Sequence, residues 1–320
     1  MLKTTTFRQL KTLQTVARVG SISGAAVELH LTQPAVSLQV SQLAEAAGTA
    51  LLRRAGREVK LTAAGEVMVR YANEILSVWN EAGEEIAALR GELGGTLRIG
   101  AITTAEYLVP PLLVRFMKAR PDVKLQFRIG NRDEIVRMLS TNEIDLAIMG
   151  RQPRELRTHA AAFARHPMGF VAAPSHPLMH TRRVQLADLE AANLLVRERG
   201  SGTRVAVEAI FKAQGLKVHA ASELSSNEAI KQLVEAGLGV AFLSLHACAL
   251  EFQAGLLALL PVPDTPIELA WNVIHVSDRR LPHVATAFRE FLIESASAVG
   301  PAGADASAAR KRGGRKVAQA

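Results

Sequence analysis

The side chains able to do chemistry in this chain fall into two groups, and both suit binding better than bond making. The first is Thr32, Gln33, Pro34, Ser37 and Leu38, followed by the cations Arg53, Arg54, Arg57 and Lys60. Amide and hydroxyl groups spaced one helical turn apart can read donors and acceptors on base-pair edges, while guanidinium and ammonium groups meet phosphates. The second group is Thr103, Thr104, Ser201, Gly202 and Thr203, with Arg154, Arg197 and Arg204 near them in sequence. Backbone N–H groups and hydroxyls at helix starts hold anions, and arginine completes the charge balance of a carboxylate or phosphate. Catalytic patterns are missing: there is no HExxH, no paired-cysteine metal spacing and no GxSxG elbow, and the 9 histidines are scattered. Gly200-Ser201-Gly202 resembles a nucleophile turn, yet no base can be assigned to Ser201. The expectation is a binding protein without enzymatic activity, metal or cofactor.

The first group needs a rigid presenter. Thr32 can cap a helix that carries Gln33 and Pro34 in its first turn, and Gly48 closes it where a left-handed cap is preferred. Val36, Val40 and Leu43 form its apolar stripe, so Gln33, Pro34, Ser37, Leu38 and Ser41 lie on other faces. A shorter helix from Ser23 to Leu29, with Ala25, Ala26 and Leu29 as contacts, precedes it across His30 and Leu31. That is helix-turn-helix spacing. Phe7 to Val19 supplies a third helix through Leu10, Leu13, Val16 and Ala17. The basic segment around Gly56 has the composition of a hairpin wing, although a solvated turn would carry the same charges. Ser23, Thr32, Gln33, Pro34, Ser37, Leu38, Arg53, Arg54 and Arg57 are therefore the candidate DNA contacts.

Beyond the wing, Met68, Ala72, Ile75, Trp79, Ala82, Ile86, Leu89 and Leu93 alternate steps of four and three, which is a heptad seam. With Thr62 as cap and Gly94-Gly95 as stop, about thirty residues would span about 45 Å. The alternative is a helix packed only on its own domain. Its isolation between glycine stops favours pairing with a second copy, so that two heads address two half-sites.

The 320 residues, 48% of them hydrophobic, suffice for several cores. The net charge of +8 suits a polyanionic partner, and its placement says more: residues 1–70 and the tail residues Arg310, Lys311, Arg312, Arg315 and Lys316 hold the excess. A lone cysteine, Cys248, excludes an intramolecular disulfide and suits a reducing cytoplasm. No export signal and no membrane-length apolar run is visible, so a cytoplasmic protein without membrane contact is expected.

The second group sits in an α/β texture. Strands are expected at Thr96–Ala101, Val123–Ile129, Asp145–Met149, Gly169–Ala173, Asn193–Arg197, Val218–Leu224, Gly239–Leu243 and Glu268–Val276. Helices are expected at Tyr107–Ala119, Arg132–Leu139, Val205–Gln214, Asn227–Ala236 and Pro282–Ser295. The last strand and helix return to the first lobe, leaving two lobes, two crossovers and a cleft that is a ligand site. Thr103, Thr104 and Ser201 also fit ordinary helix capping, and Asn131 and Asn227 fit capping and ligand contact equally.

The Ala25-Ala26 pair, LTQPAVSLQVSQL and LLRRAGREVKLTAAG together resemble the head of LysR-type transcriptional regulators, and the resemblance covers nearly the whole chain apart from the tail. Leu43-Ala44-Glu45, Ala47-Gly48 and Leu52 depart from the family's usual residues. The segments GTLRIGAITTAEYLVPPLL, EIDLAIMGR, RERGSGTR and SSNEAIKQLVEAGLGVAFLS resemble the CbbR subgroup, regulators of Calvin-cycle carbon-fixation operons. Arg199 stands where the subgroup often has proline. The resemblance implies a winged helix-turn-helix at residues 1–62 and a linker (dimerisation) helix at 63–94. It implies a two-lobed periplasmic-binding-protein-like α/β effector domain at 95–295, with lobe I about 95–162 and 265–295 and lobe II about 163–264. Residues 296–320 read as a disordered basic tail. Ala101 and Gly150, within the quoted segments, complete the candidate effector contacts with Thr103, Thr104, Asn131, Arg154, Arg197, Ser201, Gly202, Thr203, Arg204 and Asn227. Implied partners are double-stranded promoter DNA, RNA polymerase, further copies in a homodimer or homotetramer, and a small anionic effector, a phosphorylated metabolite or nicotinamide nucleotide. The resemblance also implies activation of a carbon-fixation operon. The competing readings are a LysR-type regulator of amino-acid or aromatic catabolism and, although the head argues against it, a solute-binding protein.

Overall fold

The computed structural model describes residues 5–56, 58–89, 94–219 and 222–295. The head opens with α1 (Phe7–Val19), capped by Thr6 in a reciprocal pair with Gln9 and ended by Gly20 at φ 70°. α2 (Ile22–Glu28) starts one residue earlier than the sequence suggests, because Ser21 supplies the cap to the Gly24 N–H. α3 (Gln33–Ala47) has the expected bounds, with Thr32 accepting from the Ala35 N–H and Gly48 at φ 71°. β1 (Leu52–Ala55) and β2 (Glu58–Leu61) form the antiparallel wing with Arg53 opposite Lys60. Its turn uses Gly56 at φ 65°, and Arg57 lies outside the described residues.

The head's core is Leu10, Leu13, Val16, Ala25, Ala26, Val36, Val40 and Leu43. Leu51 closes it together with Val69 and Ala72 from α4 (Ala63–Leu89). This corrects the seam at Ala72, which is fully buried in its own head and is not free to meet a second copy, while Met68 packs against the same core but stays half-buried. Ile75, Trp79, Ala82, Ile86 and Leu89 are exposed, as a seam requires, while Leu93 lies outside the described residues. The first turns of α4 complete a three-helix core that α1 to α3 cannot close alone.

Lobe I begins with β3 (Gly95–Ile102), a 3-10 turn at Thr103–Tyr107 and α5 (Val109–Ala119). The helix expected at Tyr107–Ala119 thus starts two residues later with its expected end, since Pro110 and Pro111 are accommodated in its first turn, and Tyr107 closes the 3-10 turn instead. β4 (Val123–Gly130), α6 (Arg132–Ser140) and β5 (Leu146–Met149) follow. β6 (Thr158–Ala172) is one 15-residue crossover strand rather than the short strand expected at its end. Its first half, rich in alanine, lacks the β-branched signal. Lobe II contains α7 (Leu186–Ala191), β7 (Leu194–Arg197), α8 (Gly202–Ala213), β8 (Ser222–Leu224), α9 (Asn227–Glu235), β9 (Val240–Ser244), α10 (Ala249–Ala254) and β10 (Ala258–Leu259). β11 (Ile267–Val276) and α11 (His283–Ser295) return to lobe I.

The strand order is β4-β3-β5-β11-β6-β9-β7-β8, with β10 on β6. Parallel triplets β4-β3-β5 and β8-β7-β9 are joined by the antiparallel pair β11-β6, so the sheet is mixed. The register of β6 and β11 shifts between Trp271 and Asn272. Phe163 belongs to the lobe I core and Met168 to the lobe II core, which puts the changeover slightly later than residue 163.

Candidate functional site

Two surfaces stand out. On α3, Gln33, Pro34, Ser37 and Leu38 are exposed, as is Thr32 before it, and Ser23 is exposed in the first turn of α2. Leu38 is 59% exposed with no core role, an apolar group on an otherwise polar face. The opposite face is fixed by core packing and by Gln39, which accepts from the Thr12 hydroxyl at 2.5 Å. Arg53 and Arg54 are exposed on the wing beside this face. The β2 residue Val59 donates to the Gly20 carbonyl at 2.9 Å, which pins the wing to the end of α1.

The second surface follows from strand direction. β11 runs against both β5 and β6, so β6 points the same way as β3, β4 and β5; β9 runs against β6, so β7, β8 and β9 point back. The C-terminal ends of both parallel triplets therefore face each other across the crossover, the place where open α/β sheets bind ligands. Four helical starts lie there: the Thr103 turn after β3, α6 after β4, α8 after β7 and α9 after β8. Their free N–H groups and aligned peptide dipoles favour an anion, although Glu106, Asp133, Glu134 and Glu228 stand in the first turns of three of the four and only α8 starts without an acid.

The candidate residues divide by what they touch. Arg197, expected as a charge for the ligand, is 1% exposed and committed elsewhere. Its guanidinium donates twice to Glu198, at 2.8 and 3.0 Å, to the Thr103 hydroxyl at 3.2 Å, to the Ser225 carbonyl at 3.2 Å and to Asn227 Oδ1. Glu198 neutralises it, so Arg197 ties the lobes together and orients Thr103 and Asn227. Arg204 is likewise paired, with Glu208 and with Glu223 at 3.5 Å. Arg154 is exposed on the segment after β5. Ala101 is buried in the lobe I core and offers no side chain to the cleft. Gly150 follows β5, its carbonyl accepting from Asn272 Nδ2 at 3.3 Å.

Capping explains part of the set. Ser201 caps α8 by accepting from the Thr203 N–H at 3.3 Å, and Gly202 is the first helical residue. Asn131 caps α6 in a reciprocal pair with Glu134. Asn227 does not cap α9, because Ser226 does. Asn227 is 3% exposed and its Nδ2 is buried without a hydrogen-bond partner. An unpaired buried amide donor costs about 1–3 kcal/mol, a penalty proteins tolerate where a ligand completes the bond. Thr104 and Thr203 are buried, each within the first turn of its helical segment.

Sequence reasoning missed the cross-lobe contacts. The Tyr107 hydroxyl donates to Glu228, and the ammonium of Lys231 lies 5.0 Å from the Tyr107 ring centre. Burial, the hydrogen bond to Glu228 and the charges of Glu106 and Glu228 push the Tyr107 hydroxyl well above its usual range. Burial is the largest single influence on both Lys231 and Glu228 and disfavours their charges, but the hydrogen bonds among Lys231, Glu228, Glu251 and Tyr107 together with the opposite charges outweigh it, raising Lys231 and lowering Glu228. Nothing in linear spacing links Tyr107 to residues 228 and 231. At the crossover, His166 stacks on Trp271 with ring centres 3.8 Å apart, and both ring nitrogens are buried without partners. Burial, with His246 nearby, pushes His166 down to about 3. Cys248 is buried as expected, its thiol pushed up by burial to about 12. No group of three or more metal-ligating side chains occurs among the described residues. None of the described helices is long and apolar enough to cross a membrane.

These surfaces have known counterparts. Residues 7–66 match the family described as bacterial regulatory helix-turn-helix protein, lysR family, and residues 90–297 match the LysR substrate binding domain. The HTH-type transcriptional regulator CfxR of Cupriavidus necator is 42% identical over 293 residues, 92% of each chain. A RuBisCO operon transcriptional regulator of Allochromatium vinosum is 38% identical over 91% of this chain and 96% of its own. Among solved structures, the regulatory domain of Synechocystis CcmR in complex with 2-PG superposes with a TM-score of 0.61 at 31% identity, covering 64% of this chain and 99% of that one.

Proposed function

The chain belongs to the LysR family of bacterial transcriptional regulators, and on that premise we propose that it controls a carbon-fixation operon in response to a small phosphorylated acid. The observation that carries the effector reading is the convergence of four helical N-termini on one cleft together with the unpartnered Nδ2 of Asn227. Such a site favours an anion and, with Arg197 and Arg204 already neutralised, binds it through N–H and hydroxyl donors rather than a salt bridge. Thr103, Thr104, Ser201, Gly202, Thr203 and Asn227 are the contacts in this reading, with Asn131, Gly150 and Arg154 at the margin. The 2-phosphoglycolate held by CcmR supports this ligand class, and the relative named for a RuBisCO operon supports the target. Nicotinamide nucleotides share the phosphate chemistry and belong in the same test.

For DNA, Gln33, Ser37 and Leu38 face base edges in a major groove, Leu38 against a thymine methyl, while Ser23, Thr32, Pro34, Arg53, Arg54 and Arg57 fix the register on the backbone. Two heads are paired through α4. An apolar hollow of about 680 Å³, lined by Phe7, Val67, Met68, Tyr71 and Ile75 among others, supports this pairing because it continues the exposed stripe of Ile75, Trp79, Ala82, Ile86 and Leu89. The working unit is a homodimer or homotetramer in the cytoplasm, engaging RNA polymerase at the promoter and activating it. Calorimetric titration of the full chain with 2-phosphoglycolate, phosphoenolpyruvate, sugar phosphates, nicotinamide nucleotides and aromatic acids tests the effector reading. Micromolar binding confined to phosphorylated acids, lost in Asn227→Leu, is expected; binding confined to aromatic acids would move the protein to another pathway.

A further inference from the structure

One short helix touches both the cleft and the linker. At its start, Asp133 of α6 lies against the Gly200 loop of lobe II: a Cβ built on Gly200 would sit 2.8 Å from Asp133 Oδ2 and 3.9 Å from its Cβ. At its other end, the Thr141 carbonyl accepts from Asn73 Nδ2 on α4, and Asn73 Oδ1 in turn accepts from Gln14 Nε2 on α1 at 2.6 Å. Asn73 is 2% exposed, a buried polar residue at the meeting point of head, linker and lobe I. One turn further along α4, the Ser77 hydroxyl accepts from Arg98 at 3.0 Å and from Arg279, and both arginines hold the buried Asp145 carboxylate, at 2.9 and 2.8 Å. Between these ends α6 is stiff: nine residues, about 13 Å long, closed by a reciprocal cap and pinned by the buried Ile135 and Leu139.

The chemistry of the junction matters. Gln14, Asn73, Ser77, Arg98, Thr141, Asp145 and Arg279 join through hydrogen bonds and ion pairs, which water can replace when the surfaces part. An interface of this kind has two attainable states, made and hydrated, whereas a dry apolar interface would resist opening. We propose that α6 is the strut through which closure of the cleft is felt by the linker helix, with Asn73 receiving the change and Gln14 passing it to the head. Engagement of Asp133 by the Gly200 loop holds lobe I in the orientation that seats α4 on Thr141; release frees α4 to swing with its head. The inference rests on the cleft being the effector site, but closure can be imposed without any effector.

The test is a cross-link. The 3.9 Å separation falls within the usual Cβ–Cβ range of a disulfide, about 3.5–4.5 Å, and the native Cys248 is buried. In the full chain carrying Asp133→Cys and Gly200→Cys, amide hydrogen exchange is followed across residues 73–81 and 9–16, oxidised against reduced. The reduced protein carries the same left-handed strain at position 200 and is the reference. Oxidation is expected to slow exchange in both segments by about 5- to 150-fold, the range of typical allosteric couplings. With Asn73→Leu added, the disulfide should still form while oxidation no longer alters either segment; Gln14→Met, at a half-buried position and close in size, should spare the α4 response and abolish that of α1. An unchanged α4 in the parent on oxidation, or a full response with Asn73→Leu, would overturn the strut. Failure of every phosphorylated acid to bind, with the oxidation response intact, would instead refute the effector reading alone.

Discussion

Replacing Gln33 and Ser37 together by alanine isolates sequence reading from every other contribution of the head. Both side chains are exposed and neither is engaged by another of the described residues, so the fold should not register their loss; such surface changes stay within about 0.5 kcal/mol. A glutamine bidentate to adenine discriminates by about 1–3 kcal/mol and a serine hydroxyl adds about 1 kcal/mol. Each head would then lose about 2–4 kcal/mol and a two-headed complex about 4–8 kcal/mol of discrimination, roughly three to six decades. Specific binding in such systems exceeds non-specific binding by about three to seven decades, so the change removes most of the preference. Arg53, Arg54 and Lys60 remain, and affinity for scrambled duplex should stay as it was. Fluorescence anisotropy on promoter and scrambled duplexes, over a range of salt, reads both quantities at once. If the doubly substituted protein still separates promoter from scrambled duplex as sharply as the parent, α3 is not the reading element.

Three further outcomes are expected from the wing, the head's tightest glycine and the crossover histidine. Arg53→Ala with Arg54→Ala should weaken binding to all duplexes alike and lower the slope of log K against log salt by about 0.9 for every phosphate that each head ceases to neutralise, measured by the same anisotropy titrations; an unchanged slope would remove the wing from the interface. Gly65→Ala would place a Cβ 2.0 Å from the Leu51 carbonyl oxygen, a clash no rotamer relieves, so the head should lose about 3 kcal/mol or more while the effector lobes keep their unfolding transition in calorimetry. His166 is held neutral down to about 3, whereas its unfolded form takes up a proton near 6.5. Above pH 6.5 its contribution is fully present; as pH falls from 6.5 towards 3 the unfolded chain binds the extra proton and stability drops by about 1.4 kcal/mol per pH unit. His166→Phe, which keeps a ring against Trp271, should remove one proton from that dependence in urea unfolding between pH 6 and 4.

Local patterns carried much of this protein. The bounds of α1 and α3 are readable because caps and stripes agree: Thr6 and Thr32 at the starts, Gly20 and Gly48 at the ends, apolar residues on one face between them. β6 is only half legible because Ala160, Ala161, Ala162 and Ala164 carry no strand preference and take their conformation from β11. α7 and α10, six residues each, are too short for a helical period to appear. In the site, the helix-start residues can be found from sequence and their partners cannot.

The sequence by itself determined the kinds of parts: a capped reading helix with a polar face, a basic hairpin, a long linker helix and strands ending in hydroxyl-rich helix starts. Each is set by forces acting within a few residues, where capping, periodicity and turn chemistry operate. Only the tertiary structure decided which polar groups are committed and which are free. It neutralised Arg197 with Glu198, left Nδ2 of Asn227 unpaired, took Ala72 from the seam into the core and joined Gln14, Asn73 and Thr141. Those outcomes depend on groups brought together from distant parts of the chain, where burial and partner choice, not local preference, set the energy of each hydrogen bond.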